Sequence, residues 1–285
     1  MKFLTLENWS EQNLIEFFKR IDENDFCSLK GKSYALLFFE NSTRTHYSFI
    51  KAIQDLGGNV LDFNSRTSSI KKGESFYDTV KTFESFKVNG IIIRDSQEKY
   101  WEKLQGIKVP IINAGDGSGS HPSQALLDMY TIYKNKKTLR NLNILILGDV
   151  KHSRVAMTNI AALRKVGSRV DISGPTQFKI NDSNWIDEFD SRIGEYDVVM
   201  LLRVQHERLS DGKYSVDNYN EHFGLNLSRL KQMKKNALIM HPGPFNRGVE
   251  LTDEVVEDSR CKIWEQVSNG VEVRKMILTM TMEDE

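Results

Sequence analysis

The sequence predicts an α/β fold of two domains, each a parallel β-sheet flanked by helices, joined by crossing helices. Three observations lead there. Short apolar runs rich in β-branched residues recur along the chain. Segments long enough for a helix separate them, the alternation that builds parallel sheets covered on both faces. The length of 285 residues fits one large or two medium domains with a full core.

The elements follow in order. Residues 34–39 ("YALLFF") read as a first buried strand, and 59–63, 88–94 ("VNGIIIR") and 109–113 ("VPIIN") join it. Residues 142–147 ("LNILIL"), 169–173, 196–202 ("YDVVMLL") and 237–240 form a second set of four. After the first strand, Phe49, Ala52, Ile53 and Leu56 fall at i, i+3, i+4 and i+7, and Gly57-Gly58 ends the helix. After "HPSQ", Ala125, Leu126, Leu127, Met129, Tyr130, Ile132 and Tyr133 are apolar almost all round, so that helix is buried on most sides. Its place at mid-chain suits a crossing between domains. Ile263, Trp264, Val267 and Val271 suggest a last helix that must dock. The expected divisions are 1–131, 132–263 and a C-terminal helix, 264–285, packing back on the first domain.

Composition excludes several classes. Basic and acidic residues balance at 39 each, so the chain has no overall field for nucleic acid. No run of about 18 apolar residues is available to span a membrane, and the N-terminus lacks a signal-peptide pattern. Cys27 and Cys261 lie far apart with no histidine nearby, as expected of free thiols in a cytoplasmic protein. No Cys/His cluster has metal-ligand spacing, so neither metal nor cofactor is expected.

Six motifs lie just past predicted strand ends, where open α/β sheets bind ligands. "STRT" places Ser42, Thr43, Arg44 and Thr45 at a helix start. One hydroxyl suffices to cap a helix. Three hydroxyls around one arginine look like a phosphate cradle on the unpaired N–H groups and positive dipole end. The segment lacks the glycines and the G-K-[ST] ending of a P-loop. "IIIRDS" ends a strand at Arg94. "GDGSGSHPSQ" brings His121 and Gln124 to a helix start, with Pro122 in its first turn. "GDVKHSR" carries Arg154, and "LLRVQHER" carries Arg203 and Gln205. "HPGPFNRG" makes a stiff turn at Gly243 and Pro244 that presents carbonyls in fixed directions. Between them, "SSIKKGES" is a basic, polar loop holding Ser68 and Lys72. Guanidinium groups converging at strand ends of a neutral protein point to an anionic ligand: a phosphate near Arg44 and carboxylates near Arg154 and Arg203.

In this order, "FFENSTRTHYSF", "KKGES", "HPSQALLD", "GDVKHSRVA", "LLRVQHER" and "HPGPFNRG" resemble the aspartate/ornithine carbamoyltransferase family, over residues 38 to 250. The ornithine branch typically carries an H-C-L-P turn where this chain has His241-Pro242-Gly243-Pro244, and it lacks "LRVQHER". Both differences point to the aspartate branch. The resemblance implies transfer of a carbamoyl group from carbamoyl phosphate to L-aspartate in de novo pyrimidine synthesis. A carbamoyltransferase for another amine, such as ornithine, is the alternative. A non-catalytic scaffold and a nucleotide-binding module fit the motifs less well.

The roles implied are these. Residues 1–131 bind carbamoyl phosphate and 132–263 bind aspartate. Ser42, Thr43, Arg44, Thr45 and Arg94 hold the phosphate. Arg44, Thr45 and His121 donate to the carbamoyl oxygen, while Gln124 and the backbone of Gly243 and Pro244 take the carbamoyl NH2. Arg154 receives the α-carboxylate of aspartate, and Arg203 with Gln205 the side-chain carboxylate. Ser68 and Lys72 enter from a neighbouring subunit of a homotrimer with shared active sites, with Lys71 leaving a one-residue ambiguity at Lys72. Gly243 stands where Ala or Leu is common in the family.

Overall fold

The structure is a computed structural model that describes residues 2–64, 72–204 and 216–283. The chain separates into two compact units. Unit 1 comprises residues 1–127 and 267–285, and unit 2 comprises residues 128–266.

Unit 1 holds a five-stranded sheet of β1 (Lys2–Phe3), β2 (Ser33–Phe38), β3 (Asn59–Asn64), β4 (Gly90–Asp95) and β5 (Ile111–Asp116). The spatial order is β1-β5-β4-β2-β3, and every pairing is parallel. Helices α1 (Glu11–Asp22), α2 (Thr43–Asp55) and α3 (Phe76–Ser85) connect the strands. Ala35, Leu37, Ile91, Ile93 and Ile111 line one face of the sheet, and the alternate residues Tyr34, Leu36, Ile92 and Ile112 are buried as completely. Burial on both faces is why these strands read as unbroken apolar runs. The short edge strand β1 was not foreseen. Two residues carry no periodicity, and the strand exists through its pairing of Lys2 with Ile111 and Phe3 with Ile112.

Unit 2 holds a four-stranded parallel sheet of β6 (Asn143–Leu147), β7 (Arg169–Ser173), β8 (Val198–Leu201) and β9 (Leu238–Met240), in the order β7-β6-β8-β9. Its helices are α5 (Arg154–Lys165), α6 (Val216–His222), α7 (Leu227–Gln232) and α8 (Asp253–Val256). The predicted architecture of parallel sheets with flanking helices is the one observed.

Two helices run across the division of the chain: α4 (Pro122–Lys136) and α9 (Ile263–Glu283). Residues 121–132 are buried without interruption, as the all-round apolar pattern of α4 requires. The last helix forms where expected, but its buried face differs. Trp264 and Val267 are 60% and 42% exposed, whereas Val273, Met276, Ile277 and Leu278 are buried. The second half of α9 lies against α1 and the segment after it: the Cys27 N–H donates to Thr279 Oγ1, Arg20 pairs with Glu283, and Lys275 covers the Phe26 ring. A four-residue stripe at the start of a helix 21 residues long could not reveal that shift.

In both sheets the strand order reverses once. In unit 1, β2 leads outward to β3 while the next strand, β4, lies on the other side of β2. In unit 2, β6 leads to β7 while β8 lies on the other side of β6. Loops leaving two neighbouring strands in opposite directions open a crevice at the carboxyl edge. Close approach of backbones tightens the edge of unit 2. A Cβ on Gly174 would lie 2.4 Å from the Gly148 carbonyl oxygen. Gly174→Ala is therefore expected to destabilise unit 2 by about 1–3 kcal/mol, the range for forced overpacking, read as a lower urea midpoint for its unfolding.

Candidate active site

The crevice of unit 1 is built from β2, β4 and β5. The register sets Phe38 beside Arg94, so the chain leaving β2 passes directly over the end of β4. Four residues on, α2 begins. Ser42 occupies its N-cap position in an extended conformation, yet its side chain makes no capping hydrogen bond. Ser153 of unit 2 gives the contrast, since it caps α5 in the ordinary way by accepting from the Ala156 N–H at 3.1 Å. The capping reading of Ser42 thus fails, and its hydroxyl stays at the mouth of the crevice. Thr43 and Arg44 are exposed beside it, and Thr45 is buried.

Arg94 and His121 meet Thr45 here. Thr45 Oγ1 lies 3.4 Å from His121 Nε2. Arg94 Nη1 lies 3.4 Å from the same nitrogen and donates to the Ala114 carbonyl at 3.3 Å. A guanidinium only donates, so Nε2 is the acceptor in its contact with Arg94 and the proton sits on Nδ1. The other side of the Arg94 head faces Glu40, with Nε 3.3 Å from Oε2. Glu40 escaped the sequence reading, although the Phe38–Arg94 pairing places it within reach. Burial raises the Asp95 carboxyl above its usual range, and the nearby Glu40 charge adds to that, partly offset by the Gln97 N–H.

A second buried carboxylate shapes the loop before His121. Asp116 accepts from the Asn113 amide at 3.0 Å, the Ser120 N–H at 2.9 Å and the Ser120 hydroxyl at 2.8 Å. Its other oxygen accepts from the Lys99 N–H at 3.0 Å. "DGSGS" looked flexible in sequence, but Asp116 ties it closed. At the start of α4, Gln124 is buried in the first turn, its N–H donating to the His121 carbonyl at 3.0 Å. Beneath it the buried Arg274 reaches Ser123 Oγ at 3.4 Å and stacks 5.0 Å from the Phe49 ring of α2. An arginine in an apolar helix gave no sequence signal for this support.

Unit 2 carries the remaining residues at its own crevice. Arg154 is the first residue of α5, after β6, and is half-buried. Arg203 stands two residues beyond β8 and is exposed. After β9 the Gly243-Pro244 peptide is cis, and Gly243 has φ +66°, a left-handed conformation that suits glycine. The turn is held by His241, a residue quoted in the motif but given no role. Its buried ring accepts the Gly243 N–H at Nδ1, 2.8 Å away, while the His241 backbone N–H donates to Gln266 Oε1 at 3.0 Å. Gln266 in turn donates to Asp128, which also takes the Asn159 amide of α5 at 2.7 Å. Lys72 is exposed just before α3. Ser68 and Gln205, with Lys71, lie outside the described residues. Among the described residues, no group of three or more His, Cys, Asp or Glu could hold a metal ion, and no helix is long and apolar enough to cross a membrane.

Parallel sheets with a helix start uncapped by Ser42 at a strand end in unit 1 and two strand-end arginines in unit 2 are the arrangement of a transferase. Family models agree with this. The carbamoyl-P binding domain of aspartate/ornithine carbamoyltransferase matches residues 2–134, and the Asp/Orn binding domain matches residues 140–281. The chain belongs to the aspartate/ornithine carbamoyltransferase family. It is 48% identical over 261 residues to the aspartate carbamoyltransferase catalytic subunit of Staphylococcus saprophyticus, covering 90% of this chain and 87% of that one. With the same subunit of Fusobacterium nucleatum the identity is 44%, covering 98% and 95%. Among solved structures it is similar to Trypanosoma cruzi aspartate transcarbamoylase in complex with N-(phosphonacetyl)-L-aspartic acid. That match has a TM-score of 0.85 at 26% identity, covering 97% of this chain and 94% of the other.

Removing the tie on the His121 loop tests the geometry of unit 1 directly. Asp116→Asn turns one acceptor into a donor facing N–H groups. It should lower the stability of unit 1 by about 1–3 kcal/mol, measured by urea denaturation.

Proposed function

We propose that the chain is an aspartate carbamoyltransferase, moving the carbamoyl group of carbamoyl phosphate to the amine of L-aspartate to give N-carbamoyl-L-aspartate and phosphate. The observation that carries this reading is the placement of Arg154 and Arg203 at the crevice of unit 2, two guanidinium groups suited to a dicarboxylate. An amine such as ornithine would want an acidic or thiol group there. The names of the relatives support the same substrate, and the product serves de novo pyrimidine synthesis.

Residues 1–131 bind carbamoyl phosphate. Its phosphate sits at the N-terminus of α2, on the unpaired N–H groups and on Ser42, Thr43, Arg44 and Thr45, with Arg94 beside them. The uncapped Ser42 hydroxyl supports this seat. Residues 132–263 bind aspartate through Arg154, Arg203 and Gln205. The amine attacks the carbamoyl carbon, an oxyanion forms on the carbamoyl oxygen, and the C–O bond to phosphate breaks. Arg44, Thr45 and His121 donate to the oxyanion. Arg94 and Thr45 both face Nε2, so His121 donates to the oxyanion from Nε2, once Arg94 turns to the phosphate and the ring proton moves from Nδ1 to Nε2. The neutral ring suffices, and the departing phosphate accepts the amine proton. Gln124 and the carbonyls of Gly243 and Pro244 hold the carbamoyl NH2, the turn being kept rigid by His241. The clamping of both reactants supplies proximity.

The working enzyme is a cytoplasmic homotrimer in which Ser68 and Lys72 of one subunit complete the site of its neighbour. The exposed position of Lys72 accords with that, and the two free thiols accord with a reducing compartment.

Three measurements test the proposal. Carbamoyl phosphate supplied with L-aspartate should yield the carbamoyl product, while L-ornithine should yield none; the reverse result would overturn the reading. Arg44→Ala should lower kcat by about 10²–10³-fold, the loss typical of one oxyanion donor, whereas Arg203→Ala should chiefly raise the KM for aspartate. Mixed trimers of Arg44→Ala and Lys72→Ala subunits should recover part of the wild-type rate, since some sites then contain neither change; verified mixed trimers without recovery would reject shared sites.

A further inference from the structure

Glu250 is completely buried at the carboxyl edge of the unit 2 sheet. Among the described residues its carboxylate accepts three N–H donors, none of them charged. Oε1 takes the Val204 N–H at 2.8 Å and the Asn246 side-chain amide at 3.2 Å. Oε2 takes the Asn246 N–H at 2.6 Å. Burying a carboxylate against neutral donors is costly, so a residue placed only for packing would not be a carboxylate. Its backbone is itself fixed, the Leu225 N–H donating to the Glu250 carbonyl at 2.8 Å.

The two main-chain donors belong to different strand exits. Val204 follows Arg203 directly on the way out of β8. Asn246 lies two residues beyond Pro244 on the way out of β9. One rigid carboxylate therefore spans the two loops and sets the spacing between the Arg203 backbone and the Gly243-Pro244 carbonyls. Tyr219, also buried, packs beside it: the Glu250 and Asp149 charges, after burial itself, push the phenol far above its usual range. Glu250 thus sits under the crevice formed by the exits of β6, β8 and β9.

We infer that Glu250 is a positioning residue for the second substrate, holding Arg203 and the Gly243-Pro244 turn at the spacing that a dicarboxylate amine requires. The inference rests on the function proposed above and adds to it the element that sets the aspartate side of the site. Misplacement by about 1 Å at such a site costs on the order of 10²-fold in rate, so the effect of losing the tie is measurable.

The test is Glu250→Gln in the full chain, assayed beside the wild type. The variant keeps the shape but turns an amide donor toward an N–H group. The expected result is a KM for aspartate raised about tenfold or more, with a clearly smaller loss of carbamoyl phosphate affinity in equilibrium binding without aspartate, because that substrate keeps its phosphate seat at α2 and loses at most the carbonyls of the turn. Unchanged aspartate kinetics in a folded variant would overturn the inference, and so would an equal weakening of both substrates. If the wild type itself does not carbamoylate aspartate, the functional reading fails instead. Should the variant not fold, amide hydrogen exchange of the wild-type protein decides: Val204 and Asn246 N–H groups should be protected, and exchange at the rate of open loops would refute the tie.

Discussion

The pairing of β2 with β4 is the constraint on which the candidate phosphate site depends. It sets Phe38 level with Arg94, so the residues that follow β2 cross the end of β4. The arrangement of the candidate site residues of unit 1 then follows from geometry. The start of α2 arrives with its N–H groups turned toward the crevice, and Arg94 rises beside it. Because β5 is the next strand on that side, the loop after it delivers His121 to the same place. A register shift of one residue would turn Arg94 to the opposite face of the sheet.

The electrostatics of the two crevices divide in one respect: Asp116 and Glu250 are buried where they fasten loops, while Arg44 and Arg203 stay at the surface. Asp116 and Glu250 are each buried and each satisfied by N–H donors from the chain segments they tie. Arg44 and Arg203 are exposed. Carboxylates under a crevice proposed to receive anions would be unfavourable if they were unpaired. Their hydrogen bonds are therefore part of what makes the arrangement tolerable. The same division explains why the loops that carry the candidate site residues can be rich in glycine without being loose.

The reading of individual motifs divides along the same line. Ser42 and its neighbours stood out because too many hydroxyls lay where one cap would do, and in the structure Ser42 makes no capping hydrogen bond. Arg94, Arg154 and Arg203 were recognisable because each follows an apolar run. Glu40, Asp116, His241, Glu250 and Arg274 received no role, since each acts on a partner distant in sequence or fixed by the local turn. A glutamate at position 250 beside Val249 and Leu251 resembles any surface residue until Val204 is seen to donate to it.

The chain's own sequence determined the strand-and-helix alternation, the strand-end positions of the arginines and the helix start at Thr43. All of these are local patterns of hydrophobicity and hydrogen-bonding chemistry. Tertiary structure alone decided the edge strand β1, the buried face of α9, the state of the Ser42 hydroxyl and the carboxylates that tie the loops. Those features depend on which strands lie side by side and on which groups are removed from water. Neither is encoded in any single window of residues, because burial and pairing are properties of segments brought together by folding.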